Sequence, residues 1–513
     1  MALKRISTTE TMSDFLSIAA VDLGSNSFRL QVARVEDDHI YPLDSLKETV
    51  RLAAGLSDDK SLSHDAQERA LNSLKRFGER LRGMPVDSVR AVGTNTLRVA
   101  KNSDAFLRKA QKALGFPIEV VAGQEEARLI YLGVAHGLPL RRDRRLVVDI
   151  GGGSTECIIG RGFQPVRVES LYMGCVGFSQ RYFGEGKLSA KAFKEAEIAA
   201  ATELETIVHD FKPDEWKDAI GSSGTARAIA EVLEAANVGA NGITPKGMAW
   251  IKDKMLNAGD VRKLDLLGLR EDRKPVFAGG FAIMSAVFRQ LRIDSMHTTE
   301  CGLRDGVLWD MLGRIQCRDV RETTVKQFMR RYHVDHQQAM RVEKLSANLF
   351  AQLASRHPDP EHVFPDLAWA ARLHEVGVSI AYPSFHKHSA YILGNADMPG
   401  FSKMEQANLA RWVLGCRGSL TKVAPLMENA EDWLPVLALR LAVLLHRGRM
   451  VTRLGEVRLD YSGKEFLLGI DAAWLERNPL TAAAVEAEVK IWKSVNLRLE
   501  FENYHKHDEL LDD

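Results

Sequence analysis

Cysteine is scarce in this chain, with 5 in 513 residues. Cys157, Cys175, Cys301, Cys317 and Cys416 form no C-x-x-C pair, which excludes that class of structural zinc site and a disulfide framework and suits a reducing compartment. A surplus of one charge is also missing. Lys+Arg is 69 and Asp+Glu is 68, a formal net charge of +1. That excludes a strongly basic nucleic-acid coat and an acidic tail, while leaving room for a local basic groove. Long apolar runs are absent too. Leu434–Leu445 is broken by Pro435 and Arg440 and is too short to span a bilayer. Lys4 and Arg5 are not followed by an apolar stretch, and Asp14 interrupts what is there, so no secretory leader is expected. The expectation is a soluble cytoplasmic protein without an integral membrane segment or a nucleic-acid partner; peripheral membrane association stays open. No G-x-x-x-x-G-K-[ST], G-x-G-x-x-G or G-x-S-x-G occurs. A P-loop, a dinucleotide fingerprint and the usual serine-hydrolase elbow are thereby set aside.

What is present begins with size. At about 100–200 residues per domain, the length predicts three or four domains. The first third alternates strand-like and helix-like runs. Ser17–Leu23, Phe28–Val35, Val89–Val92, Ile118–Val121, Leu146–Ile150 and Cys157–Ile159 read as strands, and His64–Leu81 as a helix behind Ser63. The pattern is α/β. Gly221–Thr225 and Gly279–Gly280 read as small-residue turns ahead of helices. Beyond about Gln316, Val325–Tyr332, Gln337–Leu353, Leu367–Leu373, Ala407–Leu414 and Leu434–Leu445 look helical. Val457–Tyr461 and Phe466–Ile470 then flank Ser462-Gly463 as a hairpin, followed by a helical run and an alternating one. The expected domains are 1–133, 134–315, 316–448 and 449–513.

An internal echo organises the first half. Val21-Asp22-Leu23-Gly24-Ser25-Asn26-Ser27 parallels Val148-Asp149-Ile150-Gly151-Gly152-Gly153-Ser154, at an offset of 149 − 22 = 127 residues. Two such units point to a duplicated α/β domain with a cleft between the halves. The alternative is chance, since Asp-x-Gly is common.

Glycine-rich turns after strands present backbone N–H groups to phosphate oxygens. Asp22 and Asp149 stand at strand ends, where a carboxylate can hold Mg²⁺. Glu156 returns beside Asp149 if the turn closes a hairpin; otherwise both are solvated loop carboxylates. Glu126 follows Gly123-Gln124-Glu125 at a helix start, as a capping acid or as a base facing the cleft. Only one of Glu125 and Glu126 is expected to face it. Arg29 and Arg98 are phosphate ligands or surface arginines.

Together these residues resemble the exopolyphosphatase / guanosine pentaphosphate phosphohydrolase family. The resemblance is carried by AAVDLGSNSFRL (19–30), VGTNTLR (92–98), AGQEEARLIYLG (122–133), VVDIGGGSTE (147–156), MGCVGFSQRYF (173–183), GSSGT (221–225) and GLRDGVL (302–308). It implies duplicated actin-like, ribonuclease H-like domains of the sugar-kinase and heat-shock-ATPase kind. It also implies an all-helical HD-like domain and a small α+β domain behind them. It implies Mg²⁺, with K⁺ as a further cation, and a homodimer. It implies Glu126 as the catalytic group and Asp149 and Glu156 at the metal. Asp22, Gly24, Ser25, Asn26 and Ser27 with Gly151, Gly152, Gly153, Ser154 and Thr155 then form two phosphate loops, helped by Arg98; Arg29 stays a candidate phosphate ligand from the residues alone. The implied activity is removal of terminal phosphate from inorganic polyphosphate; the alternative is 5′-dephosphorylation of guanosine pentaphosphate (pppGpp). A reading from another class is an actin-like ATP-binding sensor with little turnover. Leu373-His374-Glu375 stands where a working HD site needs His-Asp, so metal catalysis there is not expected. Arg330, Arg331, His333, His386, Lys387 and His388 are candidates for a polyphosphate channel, against a solvated face.

Overall fold

Apolar runs that end at glycine fold here into strands buried on both faces. The computed structural model describes residues 16–504 apart from 37–38, 58, 140–142, 239–241, 316–318, 450–453, 455 and 464; Lys4, Arg5, Asp14 and Cys317 lie outside the described residues. The described residues form two compact units, one ending at Asp319 and one beginning at Val320.

The first unit holds two five-stranded sheets. β1 (Leu16–Leu23), β2 (Ser27–Glu36), β3 (His39–Thr49), β4 (Val89–Gly93) and β5 (Ile118–Val120) pair in the order β3-β2-β1-β4-β5. β6 (Arg145–Ile150), β7 (Thr155–Arg161), β8 (Gln164–Leu171), β9 (Asp218–Ser222) and β10 (His297–Thr298) pair as β10-β9-β6-β7-β8. The first three strands of each sheet are antiparallel, and the last two join in parallel. The wiring is the same in both, so the echo in sequence is a duplicated fold. β6 is buried along its whole length, as a central strand covered on both faces must be. β3 has no apolar run to announce it. It is an edge strand containing Pro42, tolerated where one side of the ladder is free.

Hairpin register carries the chemistry to one place. Asp22 pairs with Arg29 across β1/β2, and Asp149 pairs with Glu156 across β6/β7. The second pair sits 127 residues after the first at both positions, so Glu156 is the counterpart of Arg29 (156 − 29 = 127).

Helices Gly123–His136 and Leu303–Ile315 pack against each other over β1. Ile130 and Val134 share a core with Leu303, Val307 and Met311, and with Ile18 of β1 and Val147 of β6. The approach is close because two glycines allow it. A Cβ on Gly306 would lie 1.7 Å from the Leu129 carbonyl oxygen, and one on Gly133 would lie 2.1 Å from that of Gly302. The expected boundary between 133 and 134 falls inside the first of these helices. Gly279 and Gly280 do not form a turn. They lie within helix Lys274–Gln290, which Pro275 opens, and their bare faces let it pack on Cys175 and Ser179.

In the second unit the helical segment and the tail share one core, from Val325 through Trp412, Leu437 and Phe466 to Trp492 and Leu499. The hairpin β11 (Val457–Tyr461)/β12 (Glu465–Asp471) forms, and β13 (Arg498–Tyr504) adds in parallel. Helix Phe385–Asn395 has no counterpart in the sequence reading. Among the described residues no helix is long and apolar enough to cross a membrane.

Candidate active site

The two look-alike turns touch. A Cβ on Gly152 would sit 2.9 Å from Ser25 Cβ and 3.0 Å from the backbone nitrogen of Asn26. One on Gly153 would sit 2.5 Å from Asn95 Oδ1. Only glycine lets the second turn lie against the first. Gly152→Ala is therefore expected to lower kcat/KM by about 10–100-fold through misplaced phosphate contacts. Circular dichroism checks that the fold survives, and an unchanged kcat/KM would mean that turn spacing is unimportant.

A cleft opens at the strand ends. It is lined by Asp22, Gly24, Ser25, Asn26, Ser27 and Arg29 from the first half and by Asp149 and Gly151 to Ser154 from the second, with Glu126 between them. Helices Gly123–His136, Cys175–Phe183, Ser223–Ala235 and Leu303–Ile315 each contribute a first-turn residue to its wall. Helix N-termini favour anions through their free N–H groups and dipoles.

The carboxylates crowd one another. Asp149 is 8% exposed and Glu156 is 1% exposed. Burial pushes Asp149 up to about 6; Ser222 Oγ, which donates to Asp149 Oδ2 at 2.5 Å, opposes this, and the charge of Glu126 adds to it. Burial raises Asp22 to about 7, with Arg29 opposing and Glu126 adding. Glu156 is pushed up by burial, then by Glu126 and Asp149. Asp22 Oδ1 is buried without a hydrogen-bond partner. A cation would relieve both the repulsion and the orphaned oxygen. Among the described residues no three acidic, His or Cys side chains gather closely enough to hold a metal by themselves. Mg²⁺ fits such a site, because it is usually bound by one or two carboxylates, with water and substrate phosphate completing its shell.

Three expected ligands stand behind the wall. Thr155 is fully buried, and its hydroxyl donates to the Met173 carbonyl at 2.7 Å, so it anchors the turn. Glu156 accepts from Ser170 Oγ at 2.9 Å. Arg98 donates to Glu126 Oε2 at 2.6 Å and to the Val121 carbonyl at 2.9 Å, which turns its guanidinium to Glu126. Glu125 points elsewhere, accepting both bonds of Arg128 at 2.7 and 2.8 Å. Glu126 is thus the member of the pair that faces the cleft.

Three cleft arginines were not read from the sequence: Arg227, Arg273 and Arg304. With Arg29 they bring four guanidiniums to the wall, and among the described residues none of the four forms an ion pair. Burial, then the charge of Arg304, lowers Arg29 to about 10. Burial and Arg273 lower Arg227. Asp22, Glu300 and Asp305 share this wall and offset part of the charge, but four guanidiniums gathered here with no close ion pair among the described residues suit an anion. Arg304 lies in the GLRDGVL block and Arg227 two residues after GSSGT, so their motifs were visible; Arg273 carries no local signal.

In the second unit Arg330, Arg331, His333 and Lys387 are exposed, His388 is half-buried and His386 is buried. Burial, with Lys422 and Arg417 beside it, lowers His386 to about 4. Glu375 accepts from Arg449 Nη2 at 2.5 Å, so its carboxylate is paired with a guanidinium.

Residues 31–315 match the Ppx/GppA phosphatase family, and residues 320–489 match Ppx/GppA phosphatase, domain III. A guanosine-5′-triphosphate,3′-diphosphate pyrophosphatase of Vibrio vulnificus is 38% identical over 475 residues, covering 92% of this chain and 95% of that protein. The Pseudoalteromonas translucida protein of the same name is 39% identical over 476 residues, with the same coverage of 92% and 95%. Among solved structures, an exopolyphosphatase-like protein is 25% identical with a TM-score of 0.53, covering 59% of this chain and 100% of its own. An exopolyphosphatase from Cytophaga hutchinsonii is 24% identical with a TM-score of 0.52, covering 58% and 98%, and shares the fold.

Proposed function

The chain belongs to the Ppx/GppA phosphatase family, and from that premise we propose that its cleft removes the 5′-terminal phosphate of pppGpp, leaving ppGpp. It is an enzyme that hydrolyses phosphoanhydride bonds. The observation that carries the finer reading is the name shared by relatives 38% and 39% identical over 92% of the chain. That reverses the order expected from the motifs alone, which put inorganic polyphosphate first. Polyphosphate stays as the second reading, because both substrates end in the same phosphoanhydride and the four cleft arginines suit either.

The reaction needs positioning and charge neutralisation more than covalent chemistry. The amides of the two turns, Ser25, Ser154 and the four arginines hold the phosphate oxygens. Arg98 fixes one oxygen of Glu126 and leaves the carboxylate aimed at the cleft. Glu126 orients a water and accepts its proton as the water oxygen bonds the terminal phosphorus. The bond from that phosphorus to the bridging oxygen breaks, and the electron pair leaves with ppGpp. Asp149 and Asp22, the two lining strand-end carboxylates, would hold Mg²⁺, which when bound supplies positive charge to the phosphate oxygens. The four described cysteines are free, which suits a reducing cytoplasm. A homodimer belongs to the same proposal, and sedimentation velocity tests it.

Phosphate release from pppGpp and from long-chain polyphosphate, at matched concentration with Mg²⁺, separates the readings. The expected result is a kcat/KM higher for pppGpp by about tenfold or more, the scale of discrimination one recognised group supplies. The reverse order makes the protein an exopolyphosphatase first.

A further inference from the structure

The second unit contains a cavity of about 290 Å³, in the size range of small-molecule sites. It lies between helices Trp433–Leu445 and Pro479–Lys493, with Tyr382 and Phe385 on its rim. Its acids are already matched. Glu375 is held by Arg449, and Glu488 is held by Arg440 through two bonds. Arg417 and Arg447 also line it, and among the described residues neither forms an ion pair, so two guanidiniums are in excess.

Two further features narrow the ligand. The guanidinium carbon of Arg417 lies over two aromatic rings, 5.4 Å from the centroid of Phe385 and 5.8 Å from that of Tyr382. Ala484 and Ala487, which are small, and apolar Ile491 also line it, so part of the wall offers an apolar surface to a ring. His374 is 1% exposed, and its Nδ1 lies 2.6 Å from the Ala371 carbonyl oxygen. Nδ1 therefore carries the proton, and Nε2 is left as an acceptor. Nε2 is buried and has no hydrogen-bond partner, the Glu375 carboxylate lying 3.9 Å away. A cavity with two spare guanidiniums, an apolar stretch of wall and one acceptor without a hydrogen-bond partner is complementary to a dianion that carries a planar ring and a donor group.

We propose that this cavity is a second ligand site, separate from the hydrolytic cleft, that binds a nucleoside monophosphate: phosphate on Arg417 and Arg447, base against the apolar wall, and an N–H or O–H donated to His374 Nε2. It stands independently of which phosphoanhydride the cleft hydrolyses.

Calorimetric titration of the full chain with GMP, and separately with ribose 5-phosphate, tests it. The expected result is a GMP-binding equivalent that weakens about 10–100-fold in Arg417→Glu/Arg447→Glu, the worth of a lost charge-assisted contact. Ribose 5-phosphate, lacking the ring, binds that site at least about tenfold more weakly than GMP. Phosphate release measured without GMP stays at the wild-type rate. Arg447 is exposed, so Arg447→Glu alone keeps the fold and gives the same direction if the double variant does not fold. GMP binding unchanged in these variants, or equal binding of GMP and ribose 5-phosphate, overturns the site.

Discussion

Glu126→Gln lowers kcat for phosphate release by about 10²–10⁴-fold, the usual worth of a positioned acid or base. KM moves little, because the phosphate ligands are elsewhere. The amide keeps the size of the side chain and can still accept from Arg98, so packing at this 7% exposed position survives. What it loses is the capacity to take a proton from water. Stopped-time phosphate assays read kcat, and equilibrium binding of pppGpp to the variant confirms that the substrate still docks. A kcat within about tenfold of wild type would remove Glu126 from this role and leave the turn amides and arginines as the main contributors.

Asp310→Asn destabilises the first unit by about 3–5 kcal/mol, the range for breaking a buried ion pair by removing one partner. Asp310 lies on helix Leu303–Ile315 and is 7% exposed. It accepts from Arg90 of β4 at 2.6 Å, from Arg128 of helix Gly123–His136 at 2.5 Å, and from Arg314 at 3.1 Å. Arg90 and Arg128 are at least as buried, at 5% and 7% exposed. Their other acids, Glu119 and Glu125, remain in the variant, but a guanidinium–carboxylate contact is lost on both. Burial by itself would raise Asp310; Arg128, Arg90 and Arg314 outweigh it and hold the carboxyl well below the usual range. The sign follows. A depressed folded value contributes stability that is fully present above the unfolded carboxylate value of about 3.9 and is lost as pH falls below it. Urea unfolding at pH 7 should therefore show the full deficit, and the gap to wild type should shrink below about pH 4. A deficit that is small at pH 7, or that does not change in acid, would show that helix packing rather than the ion cluster joins these elements.

Much of this arrangement is local and was legible. Asp22 and Asp149 are read at strand ends because apolar runs stop at Gly24 and Gly151. A short turn forces an antiparallel return, so the pairing of Asp149 with Glu156 follows from counting residues once the hairpin is granted. Helix periodicity similarly separates Glu125 from Glu126. Other readings failed for a physical reason. Gly279-Gly280 has the composition of a turn, but the helix that contains it is held by packing on Cys175 and Ser179, partners about a hundred residues away in the chain. β3 is an edge strand without the alternation that burial on one face imposes.

The sequence by itself determined the two hairpins, their glycine turns and the acids beside them, because strand period and turn geometry act over a few residues. Only the tertiary structure decided which side chains share the cleft. Arg227, Arg273 and Arg304 come from three separate segments, and Arg98 turns to Glu126 rather than opening onto the cleft wall. Their convergence depends on how helices and sheets pack, and packing is set by contacts between residues distant in the chain, which no local pattern records.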